Sequence, residues 1–442
     1  MTNLNFSRAG NKAIEALTAA GYEAYFVGGC VRDVLLGQAP NDFDVTTSAL
    51  PEETLSVFEG FRVIPTGLKH GTVTVLIDDE PIEITTFRSD GEYSDHRHPE
   101  SVTFSRNLSE DLCRRDFTVN AMAYSEKTGL VDLFGGASDL KNGIIRAVGE
   151  PEKRFTEDAL RILRAARFAS QKGFSIEPVT ADAMKKCLHL LDYVSAERIF
   201  SELKKLLMGK GVLDVMLTHP ETVCRAVPAL AAAVGFEQNN PHHIYDVYEH
   251  TAHAVAFSPE NEAIRLAALL HDVGKPLTYS EKDGIGHFYG HTDASLKLAE
   301  DTLDALKCDN ATKNTVLTLI KYHDPVIEPT EKAVRRALSK LGEPMLCALL
   351  DLKSADNLAQ SPECAKRLEA YEEIRGIIAE IGAKEACLSL KTLAIGGDDL
   401  IALGVPKGKL IGKLLNAALE RVVDGDLPNE KEALLEFCRK HL

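Results

Sequence analysis

Two aspartates set two residues apart, Asp42 and Asp44 in "DFDVTT", are the first residues able to do chemistry. On a strand, positions i and i+2 project from one face, so this spacing sets two carboxylates side by side. Like charges that close repel unless a cation lies between them, and hard oxygen donors suit Mg²⁺ bound to substrate phosphates. Glu83, mid-strand in "PIEITTF", adds a third carboxylate among β-branched neighbours. Upstream, Gly28 and Gly29 in "VGGCVRDVLLG" join a strand pattern to a helix pattern, with Arg32 one turn in. Backbone N–H groups at such a turn can approach a polyphosphate. A phosphate cradle on one strand end and a carboxylate pair on the next describe a nucleotidyl-transfer site. Taken singly, each half has a plain alternative: a solvated turn for the aspartates, a tight turn for the glycines.

Three further groups carry charge in a pattern. "RRDFTVNA" holds Arg114, Arg115 and Asp116, which alone would read as a surface ion-pair cluster. "TEDALRILRAARFA" predicts one helix capped by Thr156, with Glu157, Asp158 and Arg161 on a shared face and Arg164 and Arg167 continuing it. Farther on, His250, His271-Asp272 in "LLHDVGKP", His287 and His291, and His323-Asp324 in "KYHDP" form an ordered set. Imidazole plus carboxylate suits a divalent transition metal or Mg²⁺.

The elements that must position these groups divide the chain. The first 140 residues read as mixed α/β: a helix at 9–20, strands in "EAYFVGG" and "DFDVTT", and a hairpin in "GTVTVLIDDEPIEITTF". Residues 88–106 have neither helical nor strand period and predict a long loop. From Pro151 onward the pattern is helical, with no convincing strand. At 442 residues, 45% hydrophobic and 26% charged, the chain has material for several packed domains, which excludes disorder as its main state. No apolar run is long enough to span a membrane, and no secretory leader is expected. Nine scattered cysteines without framework spacing read as reduced cytoplasmic thiols. The net charge of −16 hides a strip from Lys141 to Lys210 that is net positive, as phosphate binding requires.

"GGCVRDVLLG…NDFDVTT", "IEITTFR", "RRDFTVNAMAY", "RFTEDALRILRAARF" and "SAERIFSELKK" occur in this order over about two hundred residues. Together they resemble the class II tRNA nucleotidyltransferase and poly(A) polymerase family of the DNA polymerase β superfamily. The resemblance implies an α/β nucleotidyltransferase head (1–140), a helical neck binding nucleobase and RNA (141–215), an HD-type helical body (240–330) and a helical tRNA-binding tail (331–442). It implies that Asp42 and Asp44 hold two Mg²⁺ ions for attack by a tRNA 3′-hydroxyl, with Glu83 in support. Gly28, Gly29 and Arg32 would hold the triphosphate, Arg114 and Arg115 nucleotide phosphate, and Asp116 the ribose 2′-hydroxyl. Asp158 and Arg161 would select CTP and ATP by their base edges, with Glu157 orienting Arg161. Arg164 and Arg167 would reach toward the phosphates. Glu197, Arg198 and Glu202 would brace the template helix, and Lys407, Lys409 and Lys413 would track tRNA phosphate.

The histidine set resembles the HD phosphohydrolase superfamily, which implies His250, His271, Asp272 and Asp324 as ligands of a second divalent metal. Its chemistry would be phosphatase or cyclic-phosphodiesterase action on RNA 3′ ends. The expected function is addition of C, C and A to tRNA 3′ ends from CTP and ATP. A-only addition, CC-only addition, poly(A) synthesis, an HD hydrolase with a degenerate head and a non-catalytic tRNA-binding protein are the alternatives. CC-only members typically lack a flexible loop like the one expected at 88–106.

Overall fold

The computed structural model describes residues 5–68, 71–90, 102–383 and 387–442. It divides into two compact units: one runs to Pro228 and includes Ala305–Lys307, the other comprises Ala229–Asp304 and Cys308–Leu442.

The first unit is built on a seven-stranded mixed sheet in the order β3-β4-β5-β2-β1-β8-β9. Its strands are β1 (Ala24–Val27), β2 (Asp44–Thr47), β3 (Arg62–Gly67), β4 (Thr72–Ile77), β5 (Glu80–Thr86), β8 (Met122–Ser125) and β9 (Gly129–Asp132). The β4–β5 hairpin turns through Asp78 and Asp79, both at positive φ, the geometry its tight turn demands. Where a long loop was expected at 88–106, β6 (Arg88–Asp90) and β7 (Val102–Phe104) pair as an antiparallel ribbon. Residues 91–101 of that predicted loop lie outside the described residues.

Helix α1 (Arg8–Ala19) packs on the sheet so closely that a Cβ on Gly10 would stand 2.4 Å from the Phe26 ring. Beside it, Phe6 stacks on both Phe26 and Tyr124. Helix α2 (Gly29–Leu35) joins β1 to β2, and α3 (Pro51–Val57), α4 (Leu108–Cys113) and α5 (Gly136–Asn142) complete the head.

The neck differs from expectation at its most informative point. "TEDALRILRAARFA" is not one helix: α6 (Pro151–Glu157) ends at Asp158, whose backbone is extended, and α7 (Leu160–Lys172) begins after it. Pro151 starts α6, so Thr156 lies inside it and donates to the Glu152 carbonyl rather than capping. Two more helices, α8 (Pro178–Cys187) and α9 (Ala196–Leu207), follow, with Ser195 at the α9 N-cap position as its sequence suggests.

The second unit is mainly helical. Helices Val247–Phe257, Glu262–Leu270, Asn310–Tyr322 and Glu343–Leu358 pack around a core that includes Leu266, Leu269, Leu319 and Leu350. A short hairpin, Ser280–Lys282 with Ile285–His287, interrupts the helical pattern. Its turn is Asp283-Gly284, both at positive φ, a hairpin dipeptide that was readable in "EKDGIGHF". Helices Gly397–Ala402, Lys409–Val423 and Lys431–Lys440 close over a separate apolar cluster that includes Leu400, Leu414 and Leu434. Lys407, Lys409 and Lys413 are exposed at the start of the second of these. No described helix is long and apolar enough to cross a membrane.

Candidate active site

Strand register brings the head residues to one end of the sheet. β2 runs antiparallel to β1 and parallel to β5, and Asp44 pairs directly with Glu83. The same register sets the start of β2 beside the end of β1, where Gly28 follows. Gly28 has φ 78°, a conformation that side chains resist, and a Cβ there would meet the Arg115 guanidinium at 3.0 Å. Asp42 is exposed and precedes the strand rather than lying on it. The chain end before β2 nevertheless leaves it within the field of Asp44.

Asp44 is the most perturbed of these carboxylates. Burial, then the charges of Asp42 and Glu83, push its pKa up to about 6 against the opposing pull of Arg115. Oxygen donors crowded this way are a poor arrangement for the protein alone and a good one for a hard divalent cation.

Facing the carboxylates is a set of arginines, each fixed by its own partner. Buried Asp111 accepts from Arg114 at 2.8 Å and Arg115 at 3.1 Å, and also from Thr46 on β2. Arg32 forks onto Asp33 with two 2.9 Å bonds and donates to Asn120 at 2.6 Å. Asn120 in turn donates to Asp116 at 3.0 Å. Asp116 also accepts twice from Arg164, at 2.6 and 2.9 Å, and from the Phe117 backbone at 2.8 Å. Burial works against its charge, but Arg164 and Asn120 win and hold its pKa at about 2. With four donors on its two oxygens, Asp116 holds Arg164 and Asn120 in place. The guanidinium groups of Arg32, Arg164 and Arg167 all stand 4.0–5.3 Å from the Phe168 ring centre, a cation–π platform that keeps them together.

The break at Asp158 changes the expected template pair. Glu157 still bonds Arg161 at 2.8 Å across one turn, and Glu157 also takes Arg154 at 2.7 Å. Arg161 is buried and donates to the Arg154 and Arg114 carbonyls, which pins the "RRD" segment to the neck. Asp158 instead accepts from Arg198 of α9 at 3.1 Å and from the Leu160 backbone. The pair does not share a helix face; two elements and a neck arginine set it.

α9 packs along α7, and Arg167 pairs with Glu202, donating from Nη1 to Oε1 at 3.3 Å, with both side chains buried. Burial drives Arg167 down to about 10 despite the Glu202 charge. Glu202→Ala should therefore cost about 3 kcal/mol, because it strands a buried guanidinium. Chemical denaturation of the purified variant measures it. Asp111, Asn120 and Phe168 were not singled out from sequence. Asp111 had a signal, three and four residues before Arg114 and Arg115 at helical spacing.

In the second unit, His250, His271, Asp272, His291 and His323 converge. Asp324 does not join them: it is exposed, in the bend that follows the end of helix Asn310–Tyr322. Asp356 takes its place, 3.1 Å from His250 Nε2 and 3.7 Å from His271 Nε2. Burial opposes charge on His271, yet Asp272 beside it holds its pKa up at about 10, so the cluster strongly attracts positive charge. His287 lies outside the cluster, stacked on Tyr289. Asp356 had a faint signal: Lys353, Asp356 and Asn357 stand at helical i, i+3, i+4 spacing on one face.

Comparison with known proteins places these geometries. The chain matches the Poly A polymerase head domain over residues 24–146, the RNA- and SrmB-binding site of polymerase A over 173–216, and tRNA nucleotidyltransferase domain 2 over 279–438. It is 36% identical to the CCA-adding enzyme of Ligilactobacillus salivarius, covering 97% of this chain and 95% of that one. With the CCA-adding enzyme of Levilactobacillus brevis it shares 37% identity over 96% of its length and 95% of the relative's. Among solved structures, the Bacillus stearothermophilus CCA-adding enzyme in complex with CTP superimposes with a TM-score of 0.74 at 31% identity, covering 98% and 97% of the two chains.

Proposed function

The chain belongs to the family of CCA-adding enzymes, and from that premise we propose how its residues carry the reaction. It is a tRNA nucleotidyltransferase that adds C, C and A to the tRNA 3′ end from CTP and ATP without a nucleic-acid template. The observation that carries the assignment is the confrontation of Asp44, Asp42 and Glu83 with the arginines fixed by Asp111, Asn120 and Asp116.

A nucleotidyltransferase head uses divalent metal, and Asp42 and Asp44, with Glu83 beside them, are the donors that would hold Mg²⁺. When bound, the metal supplies charge neutralisation for the α-phosphate and lowers the cost of ionising the attacking 3′-hydroxyl. Arg115, beside Gly28 and within the field of Asp44, holds the triphosphate against the turn. Arg32 and Arg164 extend that positive wall, and Asn120 and Asp116 keep them aimed without being consumed. Asp158 accepts from the exocyclic amine shared by cytosine and adenine. Arg161, locked by Glu157, donates to the neighbouring ring acceptor. Guanine and uracil present a different donor and acceptor order, so a fixed pair rejects them.

The assignment is tested with tRNA transcripts ending at the discriminator base, at C and at CC, each offered single nucleotides. Stepwise C, C, A products support it; A added only to the CC end, or long A tails, would overturn it. Because Mg²⁺ needs ionised Asp44, the Mg²⁺ concentration for half-maximal rate should rise about tenfold per pH unit below the Asp44 pKa of about 6. A titration of rate against Mg²⁺ from pH 5 to 8 measures this.

Head, neck, body and tail boundaries near 140, 215, 240 and 330 follow the same reading. The exposed Lys407, Lys409 and Lys413 offer a phosphate-tracking edge on the tail. The nine unpaired cysteines fit work in a reducing cytoplasm. The body, finally, would hold a second divalent cation at its cluster of His250, His271, Asp272 and Asp356.

A further inference from the structure

The end of α2 presents two acceptors to the neck. The stretch "RDVLLGQ" closes this helix at Gly37, which takes φ 69°. Gln38 N–H then donates back to the Asp33 carbonyl at 2.8 Å and Gly37 N–H to that of Val34 at 3.0 Å, a glycine-closed helix end. Asp33 and Gln38 are thus held side by side. On the neck, Arg164, Phe168 and Lys172 stand four residues apart along α7 and share a face. The Phe168 ring centre lies 5.2 Å from the Arg32 guanidinium carbon. One turn farther, at the last residue of α7, Lys172 crosses to α2. Its Nζ donates to Asp33 Oδ1 at 2.8 Å and to Gln38 Oε1 at 3.0 Å.

Asp33 therefore carries two cations. The Arg32 guanidinium forks onto both of its oxygens, and Lys172 shares Oδ1. The Lys172 and Asp33 side chains are only 16% and 18% exposed, so salt screens them less than a surface pair. Burial opposes the charge on Asp33, yet Arg32 and Lys172 keep its pKa below the usual carboxylate range. The carboxylate is ionised at neutral pH, and the balance of charge decides the rest. Arg32 with Asp33 alone is neutral, a weak attraction for an anion. Lys172 leaves one net positive charge on the wall.

Resting on the reading that Arg32 meets the triphosphate, we infer that Lys172 is a positioning residue of the nucleotide site. It neutralises Asp33 from the neck, so the Arg32 charge stays available to the phosphates while Asp33 keeps the guanidinium aimed. The helix that carries Arg161 thereby also sets the affinity of the head for phosphate. CTP and ATP share the triphosphate, so Lys172 acts on affinity and not on the choice of base.

Lys172→Met should raise KM for CTP and for ATP alike by about tenfold, with kcat within about twofold, because ground-state and transition-state binding fall together. Initial rates at saturating tRNA and Mg²⁺ measure both, with CTP on transcripts ending at the discriminator base and ATP on those ending in CC. Partial unfolding would lower the active fraction, and so the apparent kcat, but leave KM alone. Lys172→Arg keeps the charge and should hold KM within about threefold of the parent. Adding Asp33→Asn to Lys172→Met restores the net charge and should recover most of the lost affinity, a compensation that a packing role would not give. An unchanged KM in Lys172→Met overturns the inference, as does a rise confined to one nucleotide. So does a rise that Asp33→Asn fails to relieve, or an equal loss in Lys172→Arg. Arg32→Met tests the reading beneath: an unchanged KM there removes Arg32 from the triphosphate. A raised KM in Arg32→Met beside an unaffected Lys172→Met sinks the Lys172 role alone.

Discussion

Asp44→Asn should lower CCA addition by at least about 10³-fold, a loss of about 4 kcal/mol of transition-state stabilisation, while tRNA binding persists. Asp44 opens the central strand β2, pairs in register with Glu83 and lies in the field of Asp42, so no neighbour can replace its oxygen. The same substitution should stabilise the fold. Asp44 has a folded pKa of about 6 against the usual 3.8, so the unfolded chain ionises first as pH rises. Its ionised form therefore costs stability that grows between about pH 4 and pH 6 and persists above, reaching roughly 3 kcal/mol. The asparagine variant lacks that cost. Single-turnover incorporation of labelled CTP, filter binding of tRNA and denaturation at pH 4 and pH 7 separate lost chemistry from lost structure. An inactive variant that is also less stable at pH 7 would mean that Asp44 serves folding.

Asp158→Ala should lower kcat/KM for CTP and ATP by about 10²–10³-fold and narrow the preference over UTP and GTP. On the proposed reading the carboxylate accepts from the exocyclic amine, and its loss removes the feature that excludes the other two bases. Arg198 bears on the same atom, holding Asp158 at 3.1 Å from outside the template helix. Arg198→Ala is therefore expected to move selectivity in the same direction by a smaller factor, about tenfold, because Asp158 keeps its charge and its Leu160 contact. Competition between labelled nucleotides on one tRNA end reads both effects. Unchanged selectivity in Asp158→Ala would place base recognition elsewhere.

Most of the head was legible because local pattern and chemistry agree there. Alternating β-branched residues define β4 and β5, Gly28 marks a turn only glycine adopts comfortably, and acidic residues on a strand end point to a cation. The neck was legible as helix but not as two helices, since "EDALRILR" carries good helix formers through the break. The break is held by tertiary partners, Arg198 to Asp158 and the Arg114 carbonyl to Arg161, far apart in sequence. Asp324 misled for a similar reason: it adjoins a true cluster member, His323, but lies exposed in the bend past the helix end.

By itself the sequence determined the reaction class and the donors for it, because residue type and spacing along single elements are local properties. Asp42, Asp44, Glu83, the arginines of α7 and the inward histidines were all identifiable on that basis. Tertiary structure alone decided which carboxylate holds which arginine, that Asp116 positions Arg164, and that Asp356 completes the body cluster. Those choices depend on contacts between elements 48 and 106 residues apart in the chain, Asp116 with Arg164 and His250 with Asp356. Each is settled by burial, which makes an unpaired charge too costly to leave and so selects one partner among many.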